Sequence, residues 1–205
     1  MLLSFLSSDD PGWADARPRR RDREASETQS DADLLARIQA DDHGAFKVLF
    51  ERYHTSLRVF AASVAGDDEA DAVVQDVFVG VWRRRRELVA DPSLRAYLFR
   101  AARSLSLNAK RGRTRWALRF TDLDDAQHLT ESAQTASNDE LTAAVVRAVN
   151  QISDRRREAF LLRHEHGLSY AEIAAVMQTS RHTVRNQLAQ ALRSIHDAIP
   201  PELLP

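Results

Sequence analysis

The chain of 205 residues contains no cysteine. Disulfides, thiolate metal sites and cysteine nucleophiles are therefore excluded. That usage suits a reducing cytoplasm. No apolar run approaches the roughly 20 residues that a membrane span needs. The opening "MLLSFL" is followed at once by "SSDD", with no basic residue ahead of it, so it does not read as a secretory signal. Phosphate-binding glycine loops, G-x-S-x-G elbows and kinase-type signatures are missing as well. The alternation of Val, Thr and aromatic residues that marks strands is nowhere present. These absences leave a cytoplasmic, all-α protein without a recognisable catalytic, metal or cofactor motif.

Net charge is also lacking: 29 Lys and Arg stand against 30 Asp and Glu. The balance hides segregation. From Arg83 to Arg119 basic residues recur, including the run Arg83, Arg84, Arg85 and Arg86, and only Glu87 and Asp91 oppose them. The preceding "GDDEADAVVQD" is acidic, and the following "TDLDDAQHLTESAQTASNDE" has acids with no Lys or Arg. A basic block of this kind is the electrostatic footprint of a polyanion site, or else a solvated helix face.

Apolar periodicity divides the chain. Residues 1–30 have almost none and read as a disordered tail. Residues 31–111 hold four helical stripes. A short helix capped by Ser30 or Asp31 carries Leu34, Leu35 and Ile38. The second stripe is Phe46, Leu49, Phe50, Tyr53, Leu57, Phe60 and Val64, ended by Gly66. The third is Val73, Val74, Val77, Phe78, Val81 and Trp82, begun by acids that suit a helix N-terminus. "VADPS" breaks it, and Ser93 caps a fourth helix expected to run to about Lys110. Residues 112–138 read as a flexible linker, with Trp116, Leu118 and Phe120 as apolar exceptions that could dock on a partner or on the domain edge. Residues 139–199 hold a second helical block, and 200–205 a tail after Pro200.

The second block contains "LSYAEIAAVMQTSRHTVRNQLAQAL", from Leu168. Ser169 and Glu172 have capping-box spacing. "QTS" breaks the helix, and Ser180 caps the next one. Two helices joined by so short a turn have helix-turn-helix geometry, though an ordinary helical hairpin gives the same pattern. The last helix has an apolar stripe of Val184, Leu188, Leu192, Ile195 and Ile199. Its other face, Arg181, His182, Arg185, Asn186, Gln187 and Gln190, is polar and suits phosphates or base edges. "HEHG" is not a metalloprotease signature, because Leu168 stands where the second histidine would be. His164 and His166 read as helix-end residues.

"ISDRRREAFLLRHEHGLSYAEIAAVMQTSRHTVRNQLAQALRSI" resembles region 4 of bacterial RNA polymerase sigma factors. "AFKVLFERYHTSLRVFAASVAGDDEADAVVQDVFVGVWRRR", with "SLRAYLFRAARSLSLNAKR", resembles region 2. Both lie in the family's order with no third domain between them, which resembles the extracytoplasmic-function group of the sigma-70 family. The resemblance implies two small helical domains joined by a linker, a region 2 helical bundle and a region 4 helix-turn-helix, with no catalysis and no cofactor. The implied partners are core RNA polymerase, through the clamp helices of its largest subunit and its flap, promoter DNA, and an anti-sigma factor. The chain would act as a monomer in the holoenzyme. The rival class is a stand-alone helix-turn-helix regulator, which would leave the first block without a role.

The resemblance places residues as follows. Asp71, Gln75, Asp76 and Phe78 hold polymerase-binding positions. Arg86, Asp91, Ser93, Arg95, Tyr97, Arg100, Arg103, Ser104 and Asn108 hold positions that melt and grip the −10 strand. Tyr97 also lies on the apolar stripe, and Ser104 stands where the family usually has Asn. Arg185, Asn186, Ala189 and Gln190 match the base-facing positions of the −35 reader, with Arg181, His182 and Thr183 near phosphates. Gln178 replaces a turn glycine that the family often has, so the turn is expected to shift slightly. Gln187 and Gln190 stand where Arg is common, and Gln suits adenine where Arg suits guanine.

Overall fold

The computed structural model describes residues 29–120 and 139–200, with side chains described over 29–112 and 143–200. Eight α-helices occur among the described residues, and no strand. Helix α1 (Asp31–Gln39) starts where the Ser30 hydroxyl accepts the Asp33 backbone N–H. Helix α2 (His43–Ala65) is capped by Asp42 and ends at Gly66, whose φ of 97° suits a residue without Cβ. Helix α3 (Asp67–Arg84) opens with Asp67, Asp68 and Glu69 against its positive end and closes with Arg83 and Arg84. One 3-10 turn, Arg85–Glu87, leads to a loop and then to α4 (Leu94–Phe120). The second block holds α5 (Asp139–Gln151), α6 (Asp154–His164), α7 (Tyr170–Met177) and α8 (Arg181–Ala198).

Helix α4 is longer than its apolar stripe implies. It runs to Phe120, not to about Lys110. Loss of apolar periodicity reports loss of packing, whereas Arg and Ala still favour a helical backbone. The side chains of Trp116, Leu118 and Phe120 lie outside the described set, as do the N-terminal tail and residues 121–138 of the expected linker.

The stripes assemble two units. Helices α1 to α4 bury Leu34, Ile38, Leu49, Leu57, Phe60, Val74, Leu94 and Leu98 almost completely. Helices α5 and α8 close a small core of Ala148, Ile152, Ala191, Ile195 and Ile199. The rest of the second unit's core, including Leu162, Ile173, Val176, Val184 and Leu188, is continuous with the core of the first. Helix α4 is the seam, with α2 and α3 on one side and α7 on another. At that seam Phe60 and Phe99 meet at 5.4 Å, and His166 lies 4.9 Å from Phe99.

Several stripe positions differ from expectation. Phe50 and Leu192 are exposed, and Leu35, Phe46, Val64 and Trp82 are half-buried. Each lies at the margin of its stripe, where a turn of 100° per residue separates core from rim. On α8 the small Ala191 takes the buried place instead.

The turn between α7 and α8 keeps the left-handed residue that a glycine would favour. Gln178 sits at φ 53° and ψ 53°, a left-handed backbone that its Cβ disfavours. Gln178→Gly should raise unfolding free energy by up to about 1 kcal/mol, less the entropy glycine adds to the unfolded chain. Urea titration of the two proteins measures the difference.

Candidate nucleic-acid interface

The helix-turn-helix is built by its caps. Ser169 and Glu172 form a reciprocal capping box at α7, and the Ser180 hydroxyl accepts the Thr183 backbone N–H at α8. Val184 and Leu188 anchor α8 from beneath. Arg181, His182, Arg185, Asn186, Ala189 and Gln190 are exposed along its outer face. Asn186 and His182 contact each other at 3.1 Å, and the Thr183 hydroxyl is engaged with that of Ser180 at 2.8 Å. Gln187 departs from the free face that its sequence position suggests. It is half-buried, with its amide oxygen buried and without a hydrogen-bond partner among the described residues.

The candidates around α4 divide into three sets. Tyr97, Arg100, Ser104 and Asn108 recur every three or four residues on one side. Ser104 and Asn108 are exposed, and Arg100 lies over the Tyr97 ring at 5.8 Å. Tyr97 also packs against the core, so it serves both purposes that its spacing left open. Ser93, Arg95 and Arg103 lie on the side toward the second unit. The Ser93 hydroxyl accepts the Ala96 N–H as the cap of α4 and donates to Glu172 at 2.7 Å. Arg103 and Glu158 form an ion pair with side chains only 16% and 10% exposed. The third set is the preceding loop. Asp91 is exposed there, while Arg86 is held by Asp41 at 2.5 Å. Asp41 also binds Arg85, whose guanidinium covers Trp82 at 4.4 Å. Hydrogen bonds from Arg86 and then Arg85 hold the Asp41 carboxyl below the usual range.

A groove of about 600 Å3 opens between α2 and α3, lined by Phe46, Phe50, Val74, Phe78, Val79 and Trp82 with a polar edge that includes Asp71 and Gln75. Phe50 and Val79 remain 38% and 44% exposed. Of the expected polymerase-binding residues, Asp71 and Gln75 rim the groove and Phe78 forms its floor at 4% exposure. Asp76 is exposed but lies outside the lining. Asp71 is paired with Arg58 at 3.0 Å.

Family models match both helical units. "Sigma-70 region 2" matches residues 49–116, and "Sigma-70, region 4" matches residues 142–195. The RNA polymerase sigma-H factor of Pseudomonas aeruginosa is 32% identical over 186 residues, covering 85% of this chain and 96% of that protein. The chain belongs to the sigma-70 family. It is a sigma factor of the extracytoplasmic-function group, a non-catalytic factor for transcription initiation. The ECF RNA polymerase sigma-E factor of Escherichia coli K12 is 26% identical, covering 86% of this chain and 97% of its own length. Among solved structures, CnrH in complex with the cytosolic domain of CnrY shares the fold, with a TM-score of 0.61 at 24% identity, covering 82% of this chain and 96% of that one. The sigma factor RpoE of Bartonella quintana, in complex with the anti-sigma factor NepR, matches with a TM-score of 0.61 at 26% identity, covering 75% of this chain and 95% of that one.

Several residues of the sigma factor's surfaces escaped the sequence pattern. Phe50 reads as core, yet it opens into the groove, and Val79 carries no periodic signal. Val89 stands exposed in the loop beside Asp91. His166 also lies at the helix end, one residue past the Glu165 C-cap with its N–H given to the Leu161 carbonyl, but its ring is buried between Phe60 and Phe99. His164 does end its helix, stacked on Phe160 at 4.5 Å. Among the described residues there is no group of three or more side chains fit for a metal, and no helix long and apolar enough to cross a membrane.

Burial, and then the Arg95 charge, push the His166 imidazole down to about 4. Burial would raise the neighbouring Glu172 carboxyl, but hydrogen bonds from Ser93 and Ser169, with the Arg95 charge, hold it below its usual range. Unfolding frees His166 to take a proton near pH 6.5. The unfolded chain therefore binds more protons below that value, so the contribution of neutral His166 is complete above it. It falls as pH drops from 6.5 toward about 4, by an amount on the order of 3 kcal/mol. His166→Leu should flatten most of this dependence in denaturant titrations across that range. Carboxylate titration of Glu172 should leave a smaller slope at the acid end.

Proposed function

We propose that this sigma factor binds core RNA polymerase through the α2–α3 groove and reads promoters with two separate helices. The observation that carries the reading is the pairing, in one chain, of an outward polar helix in a capped helix-turn-helix with a basic helix in a second unit. In the proposed division, residues 31–111 form the region 2 domain and 139–199 the region 4 domain, joined by 112–138. Helix α8 enters the major groove at the −35 element. Arg185, Asn186, Ala189 and Gln190 face base edges there, while Arg181, His182 and Thr183 lie toward phosphates. Helix α4 and its loop take the −10 strand. Tyr97 and Arg100 offer a ring and a guanidinium plane for stacking, Ser104 and Asn108 offer polar contacts, and Arg86, Asp91, Ser93, Arg95 and Arg103 flank them.

Each reader is small, so affinity comes from tethering both on one polymerase. The apolar groove, with Asp71 and Gln75 on its edge and Asp76 nearby, suits amphipathic helices such as the clamp helices of the largest subunit, with the flap engaged by region 4. The factor works in the cytoplasm as a monomer within the holoenzyme. The NepR-bound relative supports control by an anti-sigma factor.

In vitro transcription with core polymerase on a promoter library tests the whole reading: specific initiation is expected, and no initiation from any promoter overturns it. Phe50→Asp with Val79→Asp places charge at the two exposed apolar positions of the groove; Phe50 also packs on Phe78 at 4.8 Å, so a melting curve checks that the variant folds. Core affinity, read by fluorescence titration, should fall at least about tenfold. Gln190→Arg should move base preference toward guanine at one position of the −35 element. An unchanged profile across −35 variants would remove Gln190 from the readout.

A further inference from the structure

Asp41 stands between α1 and α2 at φ 67°, in the left-handed region where a Cβ is unfavourable and glycine is the ordinary choice. A side chain kept in such a place points to a use for it. One carboxylate oxygen takes Nε of Arg85, and the other takes a terminal nitrogen of Arg86 at 2.5 Å. The bridge joins residues 44 and 45 apart in sequence, where the chain leaves α3.

The two arginines differ. Arg85 is anchored: it also donates to the Trp82 carbonyl at 2.7 Å and covers the Trp82 ring, against which His43 packs at 4.5 Å. Its side chain is 21% exposed, whereas that of Arg86 is 71% exposed. Further along, the Gln39 amide donates to the Leu88 carbonyl at 3.1 Å, and Leu88 is buried. The end of α1 and the turn after it therefore hold residues 85–88. Beyond them Val89, Asp91 and Pro92 are exposed, until Ser93 caps α4 and Leu94 is buried again. Residues 89–92 thus form an outward loop pinned at both ends. An ion pair as open as that of Asp41 with Arg86 adds little to folding stability, so stability does not account for it.

We propose that Asp41 is a positioning residue for promoter opening: it fixes the Arg85–Glu87 turn, aims Arg86, and so sets where the loop of residues 89–92 meets the −10 strand. A guanidinium has several N–H donors, so Arg86 held through one nitrogen keeps others for a phosphate. Held in this way it also has less freedom to lose when the strand arrives. Without the carboxylate, two neighbouring cations repel each other and the first end of the loop loosens.

The inference rests on the assignment of that loop to the −10 strand, and the test separates the two. Asp41→Gly deletes the carboxylate and relieves the backbone. Asp41→Asn keeps the shape and the tolerance of positive φ but removes the charge. Each full chain is assembled with core polymerase on the promoter that the parent transcribes best, and on −10 and −35 variants of it. Opening is read by permanganate reactivity of unpaired −10 thymines, core affinity by fluorescence titration and folding by a melting curve. Both substitutions should cut opening about fivefold and flatten the ranking of −10 variants, with the −35 ranking and core affinity unchanged. Asp41→Gly should melt close to the parent, so the loss does not follow stability. Added to Arg86→Ala, Asp41→Asn should cost about twofold rather than fivefold, because the two act largely through one guanidinium.

An unchanged −10 ranking overturns the proposal, and Asp41→Asn decides where Asp41→Gly does not fold. A loss confined to core affinity overturns it too, since that would tie the bridge to Trp82 and the groove. So do fully multiplying losses from Asp41 and Arg86. In each case initiation by the parent leaves the promoter-reading proposal standing. If the parent transcribes no promoter, both fall together.

Discussion

Helix α4 carries apolar side chains on two sides, and neither can be left in water. Leu94 and Leu98 are buried with the first unit, and Phe99 is covered by Phe60 and His166. Satisfying both sides draws α7 onto α4 and joins two small cores that would each be marginal alone. Burial has a consequence for the charges between. Arg103 loses most of its water and needs a carboxylate at close range, which Glu158 supplies. A guanidinium suited to a nucleic-acid phosphate is equally suited to a carboxylate. Here that guanidinium is held by the chain's own second unit.

The same packing sorts the polar groups of α4 and its cap. Tyr97, Arg100, Ser104 and Asn108 turn outward, whereas Ser93, Arg95 and Arg103 turn inward. Helix α8 is held by residues on its inner side, which leaves its outer polar face exposed. The groove between α2 and α3 stays open too, because apolar side chains left over after the first core is full line it, with Asp71 and Gln75 on its edge. Near-zero net charge accompanies this arrangement: acids of the second unit face cations of the first, as Glu158 faces Arg103 and Asp154 faces Lys110.

Local chemistry was largely readable from the letters. Ser30, Ser93, Ser169 and Ser180 all cap helices, because an N-cap bond spans only two or three residues. Stripe centres such as Leu49, Val77 and Val184 are buried for the same reason: helical period is a local property. Stripe margins were not readable. Phe50 and Leu192 face outward and Gln187 turns partly inward, since a margin residue's fate depends on the neighbour across from it. Gln178 shows a third case, in which packing of α7 on α8 imposes a backbone that its own residue type disfavours.

By itself the sequence determined the helices, their caps, the helix-turn-helix and, through two ordered resemblances, the sigma-70 family. It did not determine what covers α4. Periodicity states that a face is buried, not against what, and His166 reads only as a helix-end residue until Phe60 and Phe99 close on its ring. Pairs such as Ser93 with Glu172, 79 residues apart, have no local signal at all. Only tertiary packing decides them, because their energy exists only once both units have already been brought together.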